Sequence, residues 1–376
     1  MSERRDVPLR VVHVYKDYAP VLGGIENHVR VLAEAQAAAG HDVSVLVCSP
    51  GRRTVVAREC GVKVIRAGRL CTLASMPISV AQPLELRRIP ADVVHVHSPY
   101  PLGEAAAWLL RRRTPLVITH QADVVRQRRL LFFYAPVWRR VLVHARRIVA
   151  SSPRYIETSP WISAHRDKCR VVPLGVDHQL FRQSDRPPAG KGRLLFVGKL
   201  RYYKGLEVLL QAMTRLPRTT LAVVGDGPMR KNWEALAAEL GVAGRVTFRG
   251  EAPDAGLPAL YRDADLFVLP STSRAEAFGT VLLEAMACGL PCVTTEVGGG
   301  SSWVVQDGVT GRVVPPGDAV ALADAIAELA FDAGILSRLG LAGRARVEES
   351  FTREAMVRGV MAVYREALAE RQEEVE

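Results

Sequence analysis

The stretch DLFVLPSTSRAEAFGTVLLEAMACGLPCVTT, residues 265–295, decides the fold. It starts and ends with short runs that are rich in Val, Leu, Phe and Thr, and a polar loop between them leads into an apolar helix. That helix begins at Gly279 and ends at Gly289 and Pro291. Continuous apolar runs of this length are typical of strands buried on both faces of a parallel sheet. The order strand, helix, strand therefore predicts an α/β unit.

The same alternation runs through the rest of the chain. In the first half the strand-like runs are LRVVHVY (9–15), HDVSVLVCS (41–49), DVVHVHS (92–98) and PLVITH (115–120). In the second half they are RLLFVGK (193–199), TLAVVGDG (220–227), RVTFRG (245–250) and the two runs of the opening stretch. Each half therefore predicts a doubly wound, open parallel sheet.

The segment HQLFRQSDRPPAGKG (178–192) interrupts this alternation, because it is rich in Pro, Gly and charged residues and has no periodicity. A chain of 376 residues also exceeds the size, about 250 to 300 residues, at which one core stops growing. We predict two Rossmann-like domains, residues 1–180 and 181–376, with the last helix packing back towards the first. Ligands bind beyond the carboxyl ends of such strands, so we expect a site in a cleft between the domains.

Composition limits the class of protein. Hydrophobic residues make up 48% and charged residues 24% of the chain, as in ordinary globular proteins. Because no apolar run reaches the roughly 18 residues of a membrane span and the start MSERRDVPLR is polar, we expect a cytoplasmic protein without a leader. Six cysteines without a CxxC pair indicate reduced, mostly buried thiols.

The net charge of +11 indicates an anionic partner, which is nucleic acid, an acidic membrane surface or a phosphorylated substrate. Much of the excess lies between residues 111 and 147, where arginines alternate with Leu, Phe, Tyr and Trp. This mixture suits a membrane interface, although solvated helix faces over buried aromatics give the same pattern. A nucleic-acid-binding protein is disfavoured, because no recognition module is visible.

Two glutamates, Glu276 and Glu284, frame the start of the helix in the opening stretch. Eight residues span about 12 Å at helical rise, which is too far for two carboxylates to share a proton. The spacing instead suits one extended ligand, with a sugar hydroxyl at Glu276, in a solvent-facing position, and ribose hydroxyls at Glu284. Backbone amides between the two should bind phosphate at the helix start, namely those of Phe278, Gly279, Thr280 and Val281.

Cations and glycines follow two other strands. In FVGKLRYYKGLEVLL (196–210), Lys199 and Lys204 lie at a strand end, where two cations can neutralise a diphosphate. In DYAPVLGGIENHV (17–29), Gly23 and Gly24 directly precede a helix and would let amides approach a phosphate, although a plain tight turn gives the same pattern. The dinucleotide fingerprint GxGxxG is absent.

Histidines and aspartates supply further candidates. His120 ends the strand PLVITH with Asp123 close behind it, where an imidazole can orient a hydroxyl or move a proton. His95 and His97 share a strand face and could bind a metal, but no further ligand cluster is evident. We interpret both as structural or as residues that support ligand-binding neighbours. The DAD sequence (263–265) precedes its strand, at the wrong end of the sheet for a ligand site, and we reject it as a metal motif.

Six segments carry a family resemblance: GGIENHV (23–29), THQADVVRQRRLL (119–131), VVPLGVD (171–177), VGKLRYYKG (197–205), VVGDGP (223–228) and the long block from Glu276 to Asp318. Together they resemble the retaining glycosyltransferases of family 4, which have the GT-B fold. The resemblance implies transfer of a sugar from a GDP- or UDP-linked donor with retained anomeric configuration, without a metal or other cofactor. It also implies a lipid-linked or oligosaccharide acceptor, as in bacterial lipopolysaccharide assembly.

The resemblance also implies roles for the donor-side residues. Glu276 would contact the donor sugar and Glu284 the ribose, and Lys204 matches the family's phosphate-binding lysine. Lys199 stands where the family usually has arginine, and a lysine cannot form the bidentate fork of a guanidinium group. Gly23 and Gly24 would close over the phosphates, and His120, with Glu276, would act at the reacting sugar.

The segment after His120 resembles the acceptor side of bacterial enzymes that build lipid-linked glycans. This similarity implies acceptor or membrane contacts for Asp123, Arg126, Arg128 and Arg129. We therefore expect a protein bound peripherally to the inner face of the cytoplasmic membrane, with no nucleic acid as partner. A sugar-nucleotide epimerase of similar architecture is the alternative interpretation.

Overall fold

The structure is a computed structural model that describes residues 7–21, 23–73, 76–123, 128–183, 188–253 and 255–373. The chain forms two compact units: one contains the chain up to Val172 and again from Met356, and the other contains Pro173–Ala355. None of the described helices is both long and apolar enough to cross a membrane.

In the part of the chain that the structure describes, the first unit contains ten strands and five α-helices of its own. The strands are β1 (Arg10–Val14), β2 (Asp42–Cys48), β3 (Val55–Glu59), β4 (Val62–Ala67), β5 (Cys71–Leu73), β6 (Met76–Ile78), β7 (Val93–Ser98), β8 (Leu116–His120), β9 (Arg147–Ala150) and β10 (Cys169–Val171). The helices are α1 (Gly24–Ala38), α2 (Ala81–Arg88), α3 (Pro101–Leu110), α4 (Arg128–His144) and α5 (Pro153–Thr158).

Eight of these strands form one sheet in the order β10-β9-β8-β7-β1-β2-β4-β3, in which only β3 is antiparallel to its neighbour. The strands β5 and β6 pair with each other as a separate antiparallel ribbon. The strand order reverses at β1, which lies between β2 and β7. The continuous Val and Ile runs of β1, β2, β7 and β8 are buried, as expected of strands covered on both faces.

Among its described residues, the second unit contains six parallel strands and seven α-helices. The strands are β11 (Arg193–Val197), β12 (Thr220–Val224), β13 (Val246–Gly250), β14 (Leu266–Leu269), β15 (Cys292–Thr295) and β16 (Gly311–Val314). The helices are α6 (Leu206–Met213), α7 (Arg230–Glu239), α8 (Leu257–Asp263), α9 (Thr280–Ala287), α10 (Ser301–Val304), α11 (Ala319–Leu329) and α12 (Ala333–Ser350). The sheet order is β13-β12-β11-β14-β15-β16, which reverses between β11 and β14.

The last helix, α13 (Arg353–Glu373), returns the chain to the first unit. Its Val360, Tyr364 and neighbouring apolar side chains pack in one core with Val11 and Val93 of the first sheet. Glu366 also accepts a hydrogen bond from Arg147, at 2.9 Å. The helix therefore covers one face of a sheet that residues 1–172 alone would leave partly exposed.

The segment after Val172 packs with the second unit. The N–H of Val176 donates to the carbonyl of Phe351 at 2.8 Å, and Phe181 lies in the second core. The division between the units thus falls earlier than the boundary after residue 180 that the sequence predicts. Both units are Rossmann-like α/β domains, so the predicted fold class is confirmed.

Candidate active site

The switch point of the second sheet brings the donor-side candidates together. The strands β11 and β14 are neighbours, and the chain leaves their carboxyl ends towards Lys204 and Glu276 respectively. Open α/β sheets bind ligands at such a point, where the strand order reverses. The fold therefore places both residues where a ligand is expected.

Lys204 and Glu276 form an ion pair with 2.5 Å between Nζ and Oε2, and the Ser271 hydroxyl donates to the same Oε2 at 3.2 Å. The two side chains are only 10% and 9% exposed. The expectation that Glu276 faces solvent is therefore wrong: its carboxylate is largely withdrawn from water and is compensated by the lysine. Removal of either partner would leave the charge of the other buried without compensation.

The backbone conformation of Gly205 helps to hold the Lys204–Glu276 pair in place. Gly205 has φ +69, and a Cβ there would lie 1.9 Å from the carbonyl oxygen of Pro270. Only glycine allows that backbone conformation and that approach without strain. The turn ending in Lys204 thus lies directly against the chain that leaves β14, where the N–H of Thr272 donates to the carbonyl of Tyr203 at 2.9 Å.

The structure treats the two predicted lysines differently. Lys204 is buried next to Gly198, whose missing Cβ would lie 3.6 Å from its Nζ. Lys199, directly after β11, has an exposed side chain. Of the two lysines, the geometry therefore favours Lys204 as the cation that the fold holds in a fixed position.

The start of α9 offers hydrogen-bond donors. Within the described ranges, nothing accepts a hydrogen bond from four N–H groups, which we call the helix-start amides: those of Phe278, Gly279, Thr280 and Val281. Gly279 caps the helix in the left-handed conformation, with φ +80. Unpaired amides at a helix start bind anions. The four amides are therefore available to a ligand, and the phosphate contact predicted for them stays a prediction.

The side chain of Phe278 has a different task from its amide. The ring is buried and packs edge-on against Phe351, with 6.3 Å between the ring centroids. The loop behind it holds three further glycines, at positions 298–300, and a Cβ on Gly300 would lie 2.5 Å from the Phe278 ring. The packing of Phe278 thus anchors the loop that carries the helix-start amides to the core.

Glu284 lies in the second turn of α9 and is partly buried. Its Oε2 accepts a hydrogen bond of 2.7 Å from the hydroxyl of Tyr261, on α8. Sequence reasoning missed Tyr261, because a tyrosine in an amphipathic helix carries no signal of its distant partner. It also missed Ser271, although the polar loop after β14 was a usable signal.

His120 is buried at the end of β8, and both of its ring nitrogens have partners. Its Nδ1 lies 3.3 Å from the Ser98 hydroxyl, and its Nε2 lies 3.0 Å from Asp123 Oδ1. The Ser159 hydroxyl donates to the same Asp123 oxygen at 2.9 Å. The structure therefore brings His120 and Asp123 together in the first unit. The Ser98 hydroxyl lies at one ring nitrogen of the imidazole and the Asp123 carboxylate at the other.

Comparison with known proteins decides the family. Residues 22–180 match the family Glycosyltransferase Family 4, and residues 177–346 match Glycosyl transferases group 1. The O-antigen chain mannosyltransferase C of Escherichia coli is 34% identical over 365 residues, which cover 95% of this chain and 98% of that protein. The chain belongs to the family 4 glycosyltransferases of group 1.

The glycosyltransferase is similar to two further proteins. It is 36% identical over 356 residues to the D-rhamnosyltransferase WbpZ of Pseudomonas aeruginosa, with 92% of each chain covered. The structure of sucrose-phosphate synthase from Thermosynechococcus elongatus matches it with a TM-score of 0.82 and 26% identity, over 96% of this chain and 100% of that one. The predicted GT-B fold is thereby confirmed.

In the glycosyltransferase the surroundings of Gly23, which precedes α1, differ from those of Gly24, the first residue of α1. A Cβ on Gly23 would lie 2.0 Å from Glu26 Oε2, so the carboxylate folds back over the glycine. Gly24 has open space around its Cα. The nearest atoms at Gly23 belong to the flexible end of the Glu26 side chain, which can move, so sterics alone do not require glycine there. The phosphate contact predicted for both glycines stays a prediction.

The predicted acceptor side lies partly outside the described residues. Arg126 is not described, and for Arg128 and Arg129 the structure gives only their place in the first turn of α4. Further along this helix the side chains of Phe132 and Phe133 are 75% and 79% exposed. Large apolar side chains in such a position next to arginines indicate a surface that meets something other than water.

A buried histidine cluster lies inside the first unit. His13, His95 and His97 place ring nitrogens within 4.8 Å of one another, so the statement that no further ligand accompanies His95 and His97 is wrong. The identical tetrapeptides VVHV (11–14 and 93–96), which pair in register, were the signal for His13.

All six nitrogens of these three rings have protein partners, however. His13 bonds to His97 (3.1 Å) and Gln36 (2.7 Å), His95 bonds to Tyr364 (2.7 Å) and Thr119 (2.6 Å), and the second nitrogen of His97 lies 3.4 Å from the Gln121 amide. A metal ion would have to break one of these bonds. The geometry favours the structural interpretation, since the network joins three strands, β1, β7 and β8, to α1 and α13.

Asp265 of the DAD sequence also has a structural task. Its buried carboxylate accepts hydrogen bonds of 3.0 Å from the N–H groups of Ala189, Lys191 and Arg193, and the Arg193 guanidinium pairs with it. Burial opposes ionisation, but the bonds from Arg193 outweigh it and lower the pKa of Asp265. The carboxylate thus ties the start of β11 to β14.

Proposed function

We propose that this glycosyltransferase moves a hexose from a GDP- or UDP-linked donor to a glycan acceptor, with retention of the anomeric configuration. The observation that carries the proposal is the Lys204–Glu276 pair, set at a sheet switch point in the same unit as the helix-start amides. A cation, a carboxylate and free amides are the groups that a sugar diphosphate needs. The names of the two relatives, a mannosyltransferase and a D-rhamnosyltransferase, support a hexose donor.

In the proposed reaction the diphosphate binds the helix-start amides and Lys204, and Glu276 accepts a hydrogen bond from a sugar hydroxyl. When the bond between the anomeric carbon and the phosphate oxygen breaks, negative charge develops on the leaving diphosphate. The ammonium group and the positive end of α9 stabilise that charge. Fixed positive groups beside the leaving group lower the barrier without a metal ion or another cofactor.

Retention follows if the acceptor hydroxyl attacks from the face that the diphosphate leaves. The hydroxyl oxygen then forms the new bond to the anomeric carbon, and its proton passes to the leaving phosphate oxygen. His120 and Asp123 are the groups that we assign to the reacting sugar and the acceptor. Their mutual hydrogen bond of 3.0 Å holds the imidazole in one orientation.

For the acceptor, we propose a lipid-linked glycan of O-antigen or lipopolysaccharide assembly, presented at a membrane surface. The named role of the Escherichia coli relative in O-antigen synthesis supports this class of acceptor. The exposed Phe132 and Phe133 and the exposed Arg139 and Arg140 of α4 support peripheral contact with an anionic membrane.

A transfer assay with GDP- and UDP-hexoses and lipid-linked glycan acceptors tests the function. We expect one donor class to be consumed only with an acceptor present, and Glu276→Gln and Lys204→Ala to lower turnover about a hundredfold or more. The matched control Glu239→Gln, at an exposed position at the end of α7, should retain normal turnover. Release of an isomerised sugar nucleotide without acceptor would instead establish an epimerase.

A further inference from the structure

We propose that Tyr261 is a positioning residue that holds the Glu284 carboxylate for a ribose diol, so that the donor site selects ribonucleotides over 2′-deoxyribonucleotides. The inference rests on the proposed function, because it assigns the ribose of the donor to Glu284. It adds the residue that gives that carboxylate its orientation.

Tyr261 is suited to hold another group in place. It is fully buried on α8, between the rings of Phe181 and Phe267, whose centroids lie 5.8 and 5.6 Å from its own. A ring enclosed on two sides cannot move its hydroxyl without repacking the core. The hydrogen bond of 2.7 Å to Glu284 Oε2 therefore starts from a fixed point.

The position of Glu284 connects this bond to the donor. Glu284 follows Thr280 by one helical turn, so both lie on the same face of α9, about 6 Å apart along the axis. A diphosphate on the helix-start amides would thus bring the adjoining ribose to the height of Glu284. Glu276 lies on the other side of the amides, where the sugar belongs.

The chemistry of the pair favours selection of a diol. A carboxylate can accept hydrogen bonds from two neighbouring hydroxyls only when its plane is oriented towards both. Tyr261 occupies one oxygen and restricts rotation about the last side-chain bond of Glu284. Because burial raises the pKa of Tyr261, with a further contribution from Glu284, the phenol stays protonated and remains a donor.

Direct binding of nucleoside diphosphates tests the proposal, with UDP, GDP and their 2′-deoxy analogues as probes and calorimetry as readout. We expect the unmodified enzyme to bind the ribonucleotides at least about tenfold more tightly, as the loss of one hydrogen bond to a charged group implies. In Tyr261→Phe the ratio should fall to about twofold or threefold, mainly through weaker ribonucleotide binding. In turnover assays the KM of the donor should rise about five- to tenfold, while kcat stays within about twofold.

Control variants separate the possible outcomes. Tyr364→Phe removes a buried hydroxyl from the first unit and should leave the ratio unchanged. If Tyr261→Phe does not fold, Glu284→Asp withdraws the carboxylate from the tyrosine and should narrow the ratio in the same way. A normal ratio in Tyr261→Phe, or in that substitute, overturns the positioning role.

Glu284→Gln distinguishes failure of this inference from failure of the proposed function. If Glu284→Gln loses the selection but Tyr261→Phe keeps it, Glu284 reads the ribose without help from Tyr261, and only the inference is wrong. If Glu284→Gln keeps the selection of the unmodified enzyme, the ribose assignment itself is wrong and the inference falls with it. An unmodified enzyme that binds both nucleotide types equally also overturns it.

Discussion

At the scale of single residues, Lys204 and Glu276 control each other. Each charge is largely removed from water and is compensated by the other at 2.5 Å. A diphosphate that approaches Lys204 must therefore compete with, or share, a carboxylate that already holds the ammonium group. The pair sets the charge that an arriving ligand meets.

This competition gives a prediction for Glu276→Gln. The variant should bind free UDP or GDP about three- to tenfold more tightly than the unmodified enzyme, because the carboxylate that repels phosphate is gone. Transfer should collapse at the same time, since the contact to the sugar is lost. Calorimetry and turnover assays on the same preparation measure both effects, and Lys204→Ala, which should weaken binding, is the opposite control. Weaker nucleotide binding by Glu276→Gln would show that the carboxylate supports the diphosphate.

His28 is a second residue whose surroundings have a measurable effect. It is buried beside the ring of His97, and neither of its nitrogens bonds to a described residue. Burial lowers the pKa of His28 to about 3 and that of His13 to about 4. In the unfolded chain both would titrate near 6.5.

Acid should therefore destabilise the first unit. Below about pH 6.5 the imidazoles of His13 and His28 bind protons in the unfolded state but stay neutral in the folded state. The stability that is present above that pH is therefore lost as the pH falls towards 4. We expect the free energy of unfolding to drop by up to about 1.4 kcal/mol per pH unit for each such imidazole.

Replacement of His28 tests this assignment. His28→Met should be at least as stable as the parent at pH 7.5, because it removes two unpaired polar atoms from the core. It should also lose less stability on acidification, because the unfolded state no longer gains a proton at position 28. Urea unfolding at pH 7.5, 6 and 5 measures the difference. His165→Met, at a partly exposed position away from the cluster, is the control, and an equal acid loss in both variants would contradict the assignment.

At the scale of elements, Asp265 joins the loop before β11 to the start of β14. It accepts three backbone hydrogen bonds and pairs with Arg193. Asp265→Ala should lower the free energy of unfolding by about 2 to 4 kcal/mol, because the amides and the cation lose their partner. Asp263→Ala, which removes the exposed partner of the same arginine, should cost less than about 1 kcal/mol. Equal costs in chemical denaturation would refute this structural role.

Elements with a continuous apolar pattern were predictable, and those without it were not. The runs in β1, β2, β7, β8, β11 and β14 were identified from composition, because burial on both faces requires it. The edge strands β3 and β16 were missed, since VVARE is partly exposed and GRVV is very short. The interior strands β4 and β9 were also missed, because VKVIRA has charged residues between its apolar ones and RIVA is very short. Single edge strands depend on a neighbour rather than on their own composition.

At the scale of the whole molecule, the excess of positive charge and the exposed phenylalanines of α4 both support the proposed contact with an anionic membrane. The chain carries 50 basic and 39 acidic residues, a net charge of +11. Phe132→Ser combined with Phe133→Ser should lower binding to vesicles with anionic phospholipid by about tenfold or more, because two apolar side chains no longer enter the interface. Cosedimentation with vesicles measures the effect.

The matched control for this surface is Val309→Ser combined with Leu341→Ser, which changes two exposed apolar residues of the second unit. Vesicle binding should be normal in that variant and should weaken with salt in the parent. An equal loss of vesicle binding in both double variants, or no loss in either, would contradict the proposed membrane contact of α4.

The sequence identified the loops around Lys204 and Glu276 that we propose for the donor, but it did not show how their side chains are held. Glu276 and the helix-start amides follow from local pattern, because a polar loop before an apolar helix leaves its first amides free. Their partners come from other elements: Lys204 reaches Glu276 because Gly205 permits contact with Pro270. Tyr261 reaches Glu284 only through packing of α8 on α9. Such contacts depend on tertiary structure and produce no recognisable spacing of residues in the sequence.

The return of the chain to the first unit affects how the protein is made. A ribosome completes all of residues 173–355 before it releases the helix that finishes the core around Val11, Val93 and Tyr364. The portion synthesised first is therefore the last to acquire its full set of contacts, and until then the apolar face that α13 covers stays available to chaperones. Premature termination near residue 355 would leave the second unit with its whole sequence and the first without its closing helix.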